Sequence, residues 1–368
     1  MNGPPAPPPA PASPHPVPQP SPRRRRPRYP GTHPRRFEHK YKEHRAHEYP
    51  EDARHIESRG KTLAGGHRPI MVAEILSVLA PAPGETAVDA TLGHGGHALE
   101  LLKAITAGGA AGRLLGLDVD PIERPRAEAR IRAAGHPESQ FVSAGSNHAG
   151  MANVLARLGW DGADVVLADL GVSSMQIDDP TRGFSFKLDG PLDLRMNPNR
   201  GVAAADWLSG VTERRLEQAL REGADEPRAG ELARAMVAAQ AARPMRRTVE
   251  LTAWLRAWAG HLGTRDAADN LVRRVFQALR IAVNDEYSSL ATWLRLLPSA
   301  LRPGGRVAVL TFHSGEDRLV KHAFREGLRS GVYAEAPDEV LRPSAEERRG
   351  NPRSAPAKLR WARRSTPA

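Results

Sequence analysis

Short apolar runs alternate with helical stretches through most of the chain. The runs have the length of β-strands, and turns of glycine, proline or polar residues separate them from the helices. Strands that alternate with helices form a parallel sheet with both faces covered, so the pattern predicts an α/β fold. The predicted strands are 86–89, 113–117, 140–143, 163–168 and 306–312, with 358–363 as a final antiparallel strand.

The segment 198–272 has a different pattern. Apolar residues recur there at spacings of three and four, as at Leu216 and Leu220, and no strand signal interrupts them. This periodicity is typical of amphipathic helices. We therefore predict an all-helical domain that is inserted between two core segments, 61–197 and 273–368.

Three other segments complete the predicted organisation. A long helix over 270–297, with apolar residues at helical spacing, is expected to return the chain to the core. The polar stretch 319–357 is expected to be mobile. Residues 1–60 are rich in proline, arginine and histidine, and they contain too few apolar residues to offset the entropy lost on folding. We predict that this N-terminal tail is disordered.

The charge of the chain is basic but unevenly placed. The net charge is +11, and the first 36 residues hold seven arginines and no acid, which leaves 11 − 7 = +4 for the remainder. A polyanionic partner fits this balance without being required by it. Because the chain has no cysteine, it has neither disulfides nor thiolate metal sites. It also lacks an apolar run of about 18 residues and a signal-peptide pattern, so we expect a cytoplasmic protein without a membrane segment.

The strand predicted at 86–89 opens a nucleotide half-site. Gly93, Gly95 and Gly96 follow it, then a helix, a second strand and Asp118. Glycines let the backbone approach a ligand where a Cβ atom would collide, and an acid at a strand tip can accept hydrogen bonds from both ribose hydroxyls. The spacing suits a dinucleotide, and it suits S-adenosylmethionine equally well. These residues alone leave both ligands open.

A second ligand-binding loop is predicted after the strand 163–168. It begins at Asp169 and includes Ser173, Ser174 and Gln176. In open α/β sheets ligands lie beyond the carboxyl ends of the strands, which is where this loop starts. A carboxylate there can balance a cationic ligand, and the two serine hydroxyls can accept hydrogen bonds.

Seven short motifs, taken together, resemble the RsmH (MraW) family over residues 67–363. They are the turn 93–97 and the segments 169–176, 182–186, 189–196, 276–284, 312–314 and 351–354. The resemblance implies a class I S-adenosylmethionine-dependent methyltransferase with a Rossmann-like, mostly parallel seven-stranded sheet. It also implies N4-methylation of a specific cytidine in the decoding region of 16S ribosomal RNA, within the small ribosomal subunit.

The resemblance also implies roles for individual residues. Asn147 takes the position of an aromatic residue that often flanks the adenine in the family, and Gly315 replaces a leucine, which we expect to loosen its loop. Asp169, Ser173, Ser174 and Asp193 are the candidate catalytic residues. The expected cofactor contacts are Gly95, Gly96, His97, Asp118, Asn147, Asp169 and Gln176. The expected RNA contacts are Arg195, Arg273, Gln277, Arg280, Asn284 and His313.

Three other functions compete with this interpretation. A DNA amino-methyltransferase usually carries two prolines and an aromatic residue after the fourth strand, where this chain has Asp169-Leu170-Gly171-Val172. A dinucleotide-dependent dehydrogenase would use the same glycine turn. A non-catalytic RNA-binding ribosome-assembly factor would bind RNA without transferring a methyl group.

No metal is expected, because a sulfonium is already an activated methyl donor. A homodimer is compatible with the sequence.

Overall fold

The computed structural model describes Gly3 and residues 69–262 and 264–367 of the 368-residue chain. Apart from Gly3, the predicted tail 1–60 lies outside the described residues. The strands are β1 Thr86–Asp89, β2 Arg113–Leu117, β3 Phe141–Ala144, β4 Ala163–Asp169, β5 Leu301–Thr311, β6 Tyr333–Glu335 and β7 Lys358–Arg364. All six predicted strands are present, and β6 was not predicted.

The strands form one seven-stranded sheet in the order β3-β2-β1-β4-β5-β7-β6. Strands β1 to β5 are parallel, and β7 runs antiparallel to both β5 and β6. All four residues of β1 are buried, as expected for a central strand covered on both faces. The predicted class I architecture, with its mostly parallel seven-stranded sheet, is confirmed.

Helices cover both faces of this sheet, and further helices form the insert. The α-helices of the described chain are α1 Val72–Leu79, α2 Gly96–Ile105, α3 Glu123–Ala133, α4 Met151–Arg157, α5 Ser174–Asp178, α6 Ala204–Gly210, α7 Glu213–Ala224, α8 Ala229–Ala242, α9 Thr248–Trp258, α10 Arg265–Asn284, α11 Glu286–Ala300, α12 Ser314–Arg329 and α13 Ala345–Gly350. Successive strand residues point to opposite faces, so Ala87 packs with α1 and α2, whereas Val88 packs with α4 and α11. In the described part of the chain, no helix is both long and apolar enough to cross a bilayer.

Helices α6 to α10 pack around an apolar cluster of their own, which also includes the loop residues Phe184, Leu192 and Leu194. The domain boundary expected at 272/273 falls inside the 20-residue helix α10. This helix therefore belongs to the helical insert at its start and reaches the core at its end.

The single long helix predicted over 270–297 is wrong. The chain breaks at Asp285, whose φ of 50° and ψ of 41° are left-handed, and α11 begins at the next residue. Aspartate tolerates this conformation better than most residues, and its N–H bonds to Ile281 O to end α10. The stretch 319–357 is also more ordered than predicted, because Val320 and Phe324 bury the apolar side of α12.

Gly112, just before β2, gives a direct test of this packing. A Cβ atom at this position would lie 2.2 Å from the backbone oxygen of Ile105, so Gly112→Ala should lower the stability by about 1–3 kcal/mol through overpacking. Thermal unfolding of the purified protein measures this loss. Gly210→Ala is the matched control, because no atom lies within 4 Å of its added Cβ. Equal melting temperatures for the two variants would contradict the packing described.

Candidate active site

A large cavity opens at the carboxyl ends of β1, β2 and β4. The sheet reverses its strand order between β1 and β4, and open α/β sheets bind their ligands at such a point. The volume of the cavity is about 1480 Å³. Pockets for one small ligand usually measure about 300–1,000 Å³, so this cavity has room for a cofactor and a second group.

The glycine turn forms one wall of the cavity. Gly93 and Gly95 have φ values of 49° and 78°, which favour glycine, and Gly95 is the N-cap of α2. Gly96 lies at the wall, and its added Cβ would be 3.3 Å from the ring of Pro69. Gly95 is not at the wall, because it packs towards Ile131. Gly95 therefore shapes the glycine turn instead of lining the cavity.

Three carboxyl groups lie at the carboxyl ends of the central strands, where Asp89 is buried and Asp118 and Asp169 are half-buried. Burial raises the pKa of Asp89 and of Asp118 to about 6. Burial, together with the nearby carboxylate of Glu316, raises the pKa of Asp169 to about 7. Because a bound cation would favour the ionised form of these groups, the cavity suits a positively charged ligand.

His97 lies between Ile70 and Asp169. Its Nε2 is 2.9 Å from the carbonyl oxygen of Ile70, which can only accept, so this nitrogen carries the proton. Burial lowers the pKa of His97 and keeps the ring neutral. The unprotonated Nδ1 is therefore left 3.6 Å from Asp169 Oδ2.

Asp118 is held rigidly at the tip of β2. Its Oδ2 accepts from Gly93 N at 2.7 Å, and its Oδ1 accepts from Asp120 N at 2.8 Å. A carboxylate oxygen can accept a second hydrogen bond, so the side chain can still bind a pair of hydroxyls. Asn147 also lines the cavity and donates to Ser289 Oγ at 3.2 Å.

The loop after β4 begins α5 with a capping box. Ser173 Oγ accepts from Gln176 N, and Gln176 Oε1 accepts from Ser173 N. The hydroxyl of Ser173 and the amide of Gln176 are thus committed to the loop, although both residues line the cavity. Ser174 lines it too, and among the described residues its hydroxyl has no hydrogen-bond partner.

A buried ion pair connects the loops around the cavity. Arg182 Nη1 donates to Asp120 Oδ2 at 2.8 Å, and both side chains are buried. Gln176 Nε2 donates to the same oxygen at 2.8 Å, and Arg182 Nη2 donates to Met196 O at 2.8 Å. Sequence reasoning missed this pair, although Arg182 begins one of the seven motifs and Asp120 lies two residues after Asp118.

Besides Gly95, four predicted site residues do not line the cavity. Asp193 and Arg195 form a bidentate pair with each other, at 2.7 Å for both contacts. Gln277 donates to Gly223 O and joins α10 to α7. His313 caps α12 and lies against Glu316. Asp193 is therefore paired with Arg195 outside the cavity wall, and the other three side chains are also occupied by protein contacts.

The other predicted RNA contacts, Arg273, Arg280 and Asn284, do line the cavity. Arg280 is held in a bidentate pair with Glu286, and Asn284 bonds to the backbone at Leu194 and Met196. Arg273 is exposed. We conclude that Arg280 and Asn284 shape the wall, whereas the guanidinium of Arg273 is accessible to a ligand.

The structure adds wall residues that sequence reasoning did not find. His148, next to Asn147, lines the cavity with an aromatic ring that packs edge-on against Trp293. Tyr287 and Glu316 come from α11 and α12. Among the described residues, no cluster of three or more histidine, aspartate or glutamate side chains could hold a metal ion.

A model of the MraW methylase family matches residues 64–365. The chain belongs to this family. It is 44% identical to ribosomal RNA small subunit methyltransferase H 1 of Lachnoclostridium phytofermentans, over 91% of each chain. It is 43% identical to the Agathobacter rectalis protein of the same name, over 92% of this chain and 96% of that one. The Rubrobacter xylanophilus methyltransferase H is 42% identical, over 82% of this chain and 97% of its own.

As a MraW methylase, the protein uses S-adenosylmethionine. The cavity fits this cofactor, because the carboxyl groups at the strand ends complement its sulfonium and ammonium charges. Asp118 and Asp169 would hold the ribose and the methionine end, respectively. The glycine turn 93–96 would leave room for the ligand beside the backbone. The dehydrogenase alternative is thereby excluded.

The carboxyl group of Asp169 should make cofactor affinity depend on pH. With a pKa of about 7, it is mainly protonated at pH 6 and mainly ionised at pH 8. If the bound cation requires the ionised form, the Kd for S-adenosylmethionine should fall about tenfold between these values by proton linkage. Isothermal titration calorimetry measures it. In Asp169→Asn the affinity should be lower and the pH dependence flatter, and an equal slope in both proteins would contradict the assignment.

The same linkage acts on the free protein. Between pH 4 and 7 the folded protein retains a proton on Asp169 that the unfolded chain has already lost. This carboxyl group therefore lowers the free energy of unfolding as the pH rises through that window. The stabilisation that the cofactor gives should accordingly be larger at pH 8 than at pH 6.

Arg182 provides a test of the buried ion pair. Arg182→Met leaves the carboxylate of Asp120 buried without its partner and should cost about 3–5 kcal/mol of folding stability. Arg234→Met is the control, because Arg234 pairs with Glu213 on the exposed surface of the insert and should cost less than about 1 kcal/mol. Denaturant unfolding compares the two variants. Similar losses would show that the buried pair does not hold the loops.

Proposed function

We propose that this protein methylates the exocyclic N4 of a specific cytidine in the decoding region of 16S ribosomal RNA, within the small ribosomal subunit. The names of its relatives support a ribosomal RNA substrate. The observation that carries the proposal is the size of the cavity, which has room for a nucleotide as well as for the cofactor beside the acidic side chains. Its carboxyl groups also provide proton acceptors, which an amino nitrogen requires.

The chemistry explains why acceptors are needed. The lone pair of a cytosine amino group is delocalised into the ring, so N4 is a weak nucleophile until its hydrogens are bound by acceptors. S-adenosylmethionine, when bound, supplies an electrophilic methyl group. Holding N4 in line with that group can contribute about 7–11 kcal/mol to lowering the barrier.

Asp169 is the proposed proton acceptor. A bound cationic cofactor would keep the carboxyl group of Asp169 ionised at neutral pH, so that it could accept the proton that the methylated nitrogen releases. Its Oδ2 would receive the proton, and the neutral ring of His97 lies beside this oxygen, with Nδ1 at 3.6 Å. The free hydroxyl of Ser174 would accept a hydrogen bond from N4, whereas Ser173 acts through the capping box.

The target base must leave its stack to enter the cavity. Arg200 and Arg273 are exposed at the cavity, on the loop after Met196 and on α10. Arg200 forms no ion pair with any described residue, and Arg273 is bonded only to the neutral Asn270. Both guanidinium groups are therefore suited to bind phosphates on either side of the extruded nucleotide. Arg195, by contrast, is neutralised by Asp193.

Two alternatives make different predictions. A DNA amino-methyltransferase would act on DNA, although the residues after Asp169 lack the usual prolines and aromatic ring. A non-catalytic assembly factor would bind small subunits without transferring a methyl group. The raised pKa of Asp169 favours catalysis, because strongly perturbed carboxyl groups cluster at active sites.

The decisive experiment uses small subunits from cells that lack this protein. The purified protein, given radiolabelled S-adenosylmethionine, should methylate one cytidine at N4, as nucleoside mass spectrometry identifies. Asp169→Ala should slow transfer about 10²–10⁴-fold, the usual effect of removing a general base. Asp206→Ala, an exposed change on the helical insert, is the matched control and should retain full activity. Label on another base, or on DNA alone, would refute the proposal.

A further inference from the structure

Tyr287 stands at the cavity wall with its hydroxyl turned away from it. The residue lies in the first turn of α11, beside Glu286 and close to Ser289, and all three line the cavity. The Tyr287 Oη is 3.5 Å from His313 Nδ1, and His313 does not line the cavity. Tyr287 is thus a half-buried lining residue of the cavity whose hydroxyl lies beside His313.

Gly315 creates the space that the hydroxyl occupies. A Cβ atom at this position would lie 1.7 Å from Tyr287 Oη and 2.6 Å from its Cζ, so no other residue fits while Tyr287 keeps this place. Gly315 is buried in the first turn of α12. The expectation that Gly315 loosens its loop is wrong, because the missing side chain is replaced by the tyrosine.

The surroundings keep this ring neutral. Burial, together with the negative charges of Glu316 and Glu286, raises the pKa of Tyr287 above its ordinary value, which itself lies above neutral pH. Tyr287 Oη lies beside His313, and His313 contacts Glu316, whose charge raises the pKa of Asp169. The ring is therefore close to the acidic side chains of the cavity. Tyr287 thus offers an uncharged aromatic surface near the proposed reaction centre.

An extruded base needs a replacement for the stacking that it loses. The loop 169–172 contains no aromatic residue. Phe312 also lines the cavity, but it packs against the apolar core and next to Gly171. We propose that Tyr287 is the stacking platform of the target base and that Gly315 sets its orientation. This inference rests on the proposed function and adds a substrate-positioning residue to it.

The test compares the KM for unmethylated small subunits with the Kd for S-adenosylhomocysteine. Tyr287→Leu should raise the KM about tenfold or more, the usual cost of a lost base–aromatic stack, and leave the Kd unchanged. Tyr287→Phe keeps the ring and should stay within about threefold of the original KM, because one neutral hydrogen bond contributes little. Gly315→Leu should raise the KM as Tyr287→Leu does, because it displaces the ring.

A double variant separates stacking from packing. Gly315→Leu with Tyr287→Leu refills the space, so its melting temperature should recover relative to Gly315→Leu while the KM stays high. Recovery of the KM with stability would overturn the inference, as would an unchanged KM in Tyr287→Leu or an equal rise in KM and Kd. If the unaltered protein does not methylate cytosine N4, the proposed function itself has failed. Failure of the Tyr287 variants alone leaves that function standing.

Discussion

The pairing of Arg182 with Asp120 is the interaction on which the cavity depends. Removing two charges from water is costly, and it is offset only when the remaining donors and acceptors are also satisfied. Asp120 meets this condition, because its two oxygens accept from Arg182, from Gln176 and from the backbone at the start of α3. Arg182 in turn holds the backbone at Met196. This buried contact thereby connects the loop after β2, the loop after β4 and the segment at Met196 that precedes the helical insert.

The charge distribution of the cavity depends on the loops that the Arg182–Asp120 pair holds in place. Asp118 and Asp169 are kept near the ends of their strands, and burial makes ionisation unfavourable in the free protein. A cationic cofactor reverses that balance, so the same burial that destabilises the free carboxylates strengthens their interaction with the bound ligand. On the opposite wall Arg280 is neutralised by Glu286, which leaves cationic charge to exposed side chains such as Arg273.

Much of the fold could be predicted because it depends on local patterns. Buried parallel strands are continuous apolar runs, and the glycine turn is defined by a few adjacent residues. The break at Asp285 could not be predicted, because helical periodicity continues across it and only tertiary packing selects its left-handed conformation. Residues of the cavity wall could be predicted where they lie at a strand end, as Asp118 and Asp169 do. The pairing of Asp193 with Arg195 could not be predicted, because a loop sequence does not show that the two side chains face each other. Tyr287 was not found at the wall because α11 reaches the cavity from a distant part of the chain.

The central claim is that the carboxyl groups of the cavity, placed by the Arg182–Asp120 pair, hold S-adenosylmethionine in one orientation. A crystal structure of the protein with S-adenosylhomocysteine tests it most directly. The account predicts that the ribose hydroxyls lie within hydrogen-bond distance of Asp118 and that the amino-acid end of the ligand lies beside Asp169. A ligand whose ribose is remote from Asp118, or whose homocysteine end points away from Asp169, would contradict it.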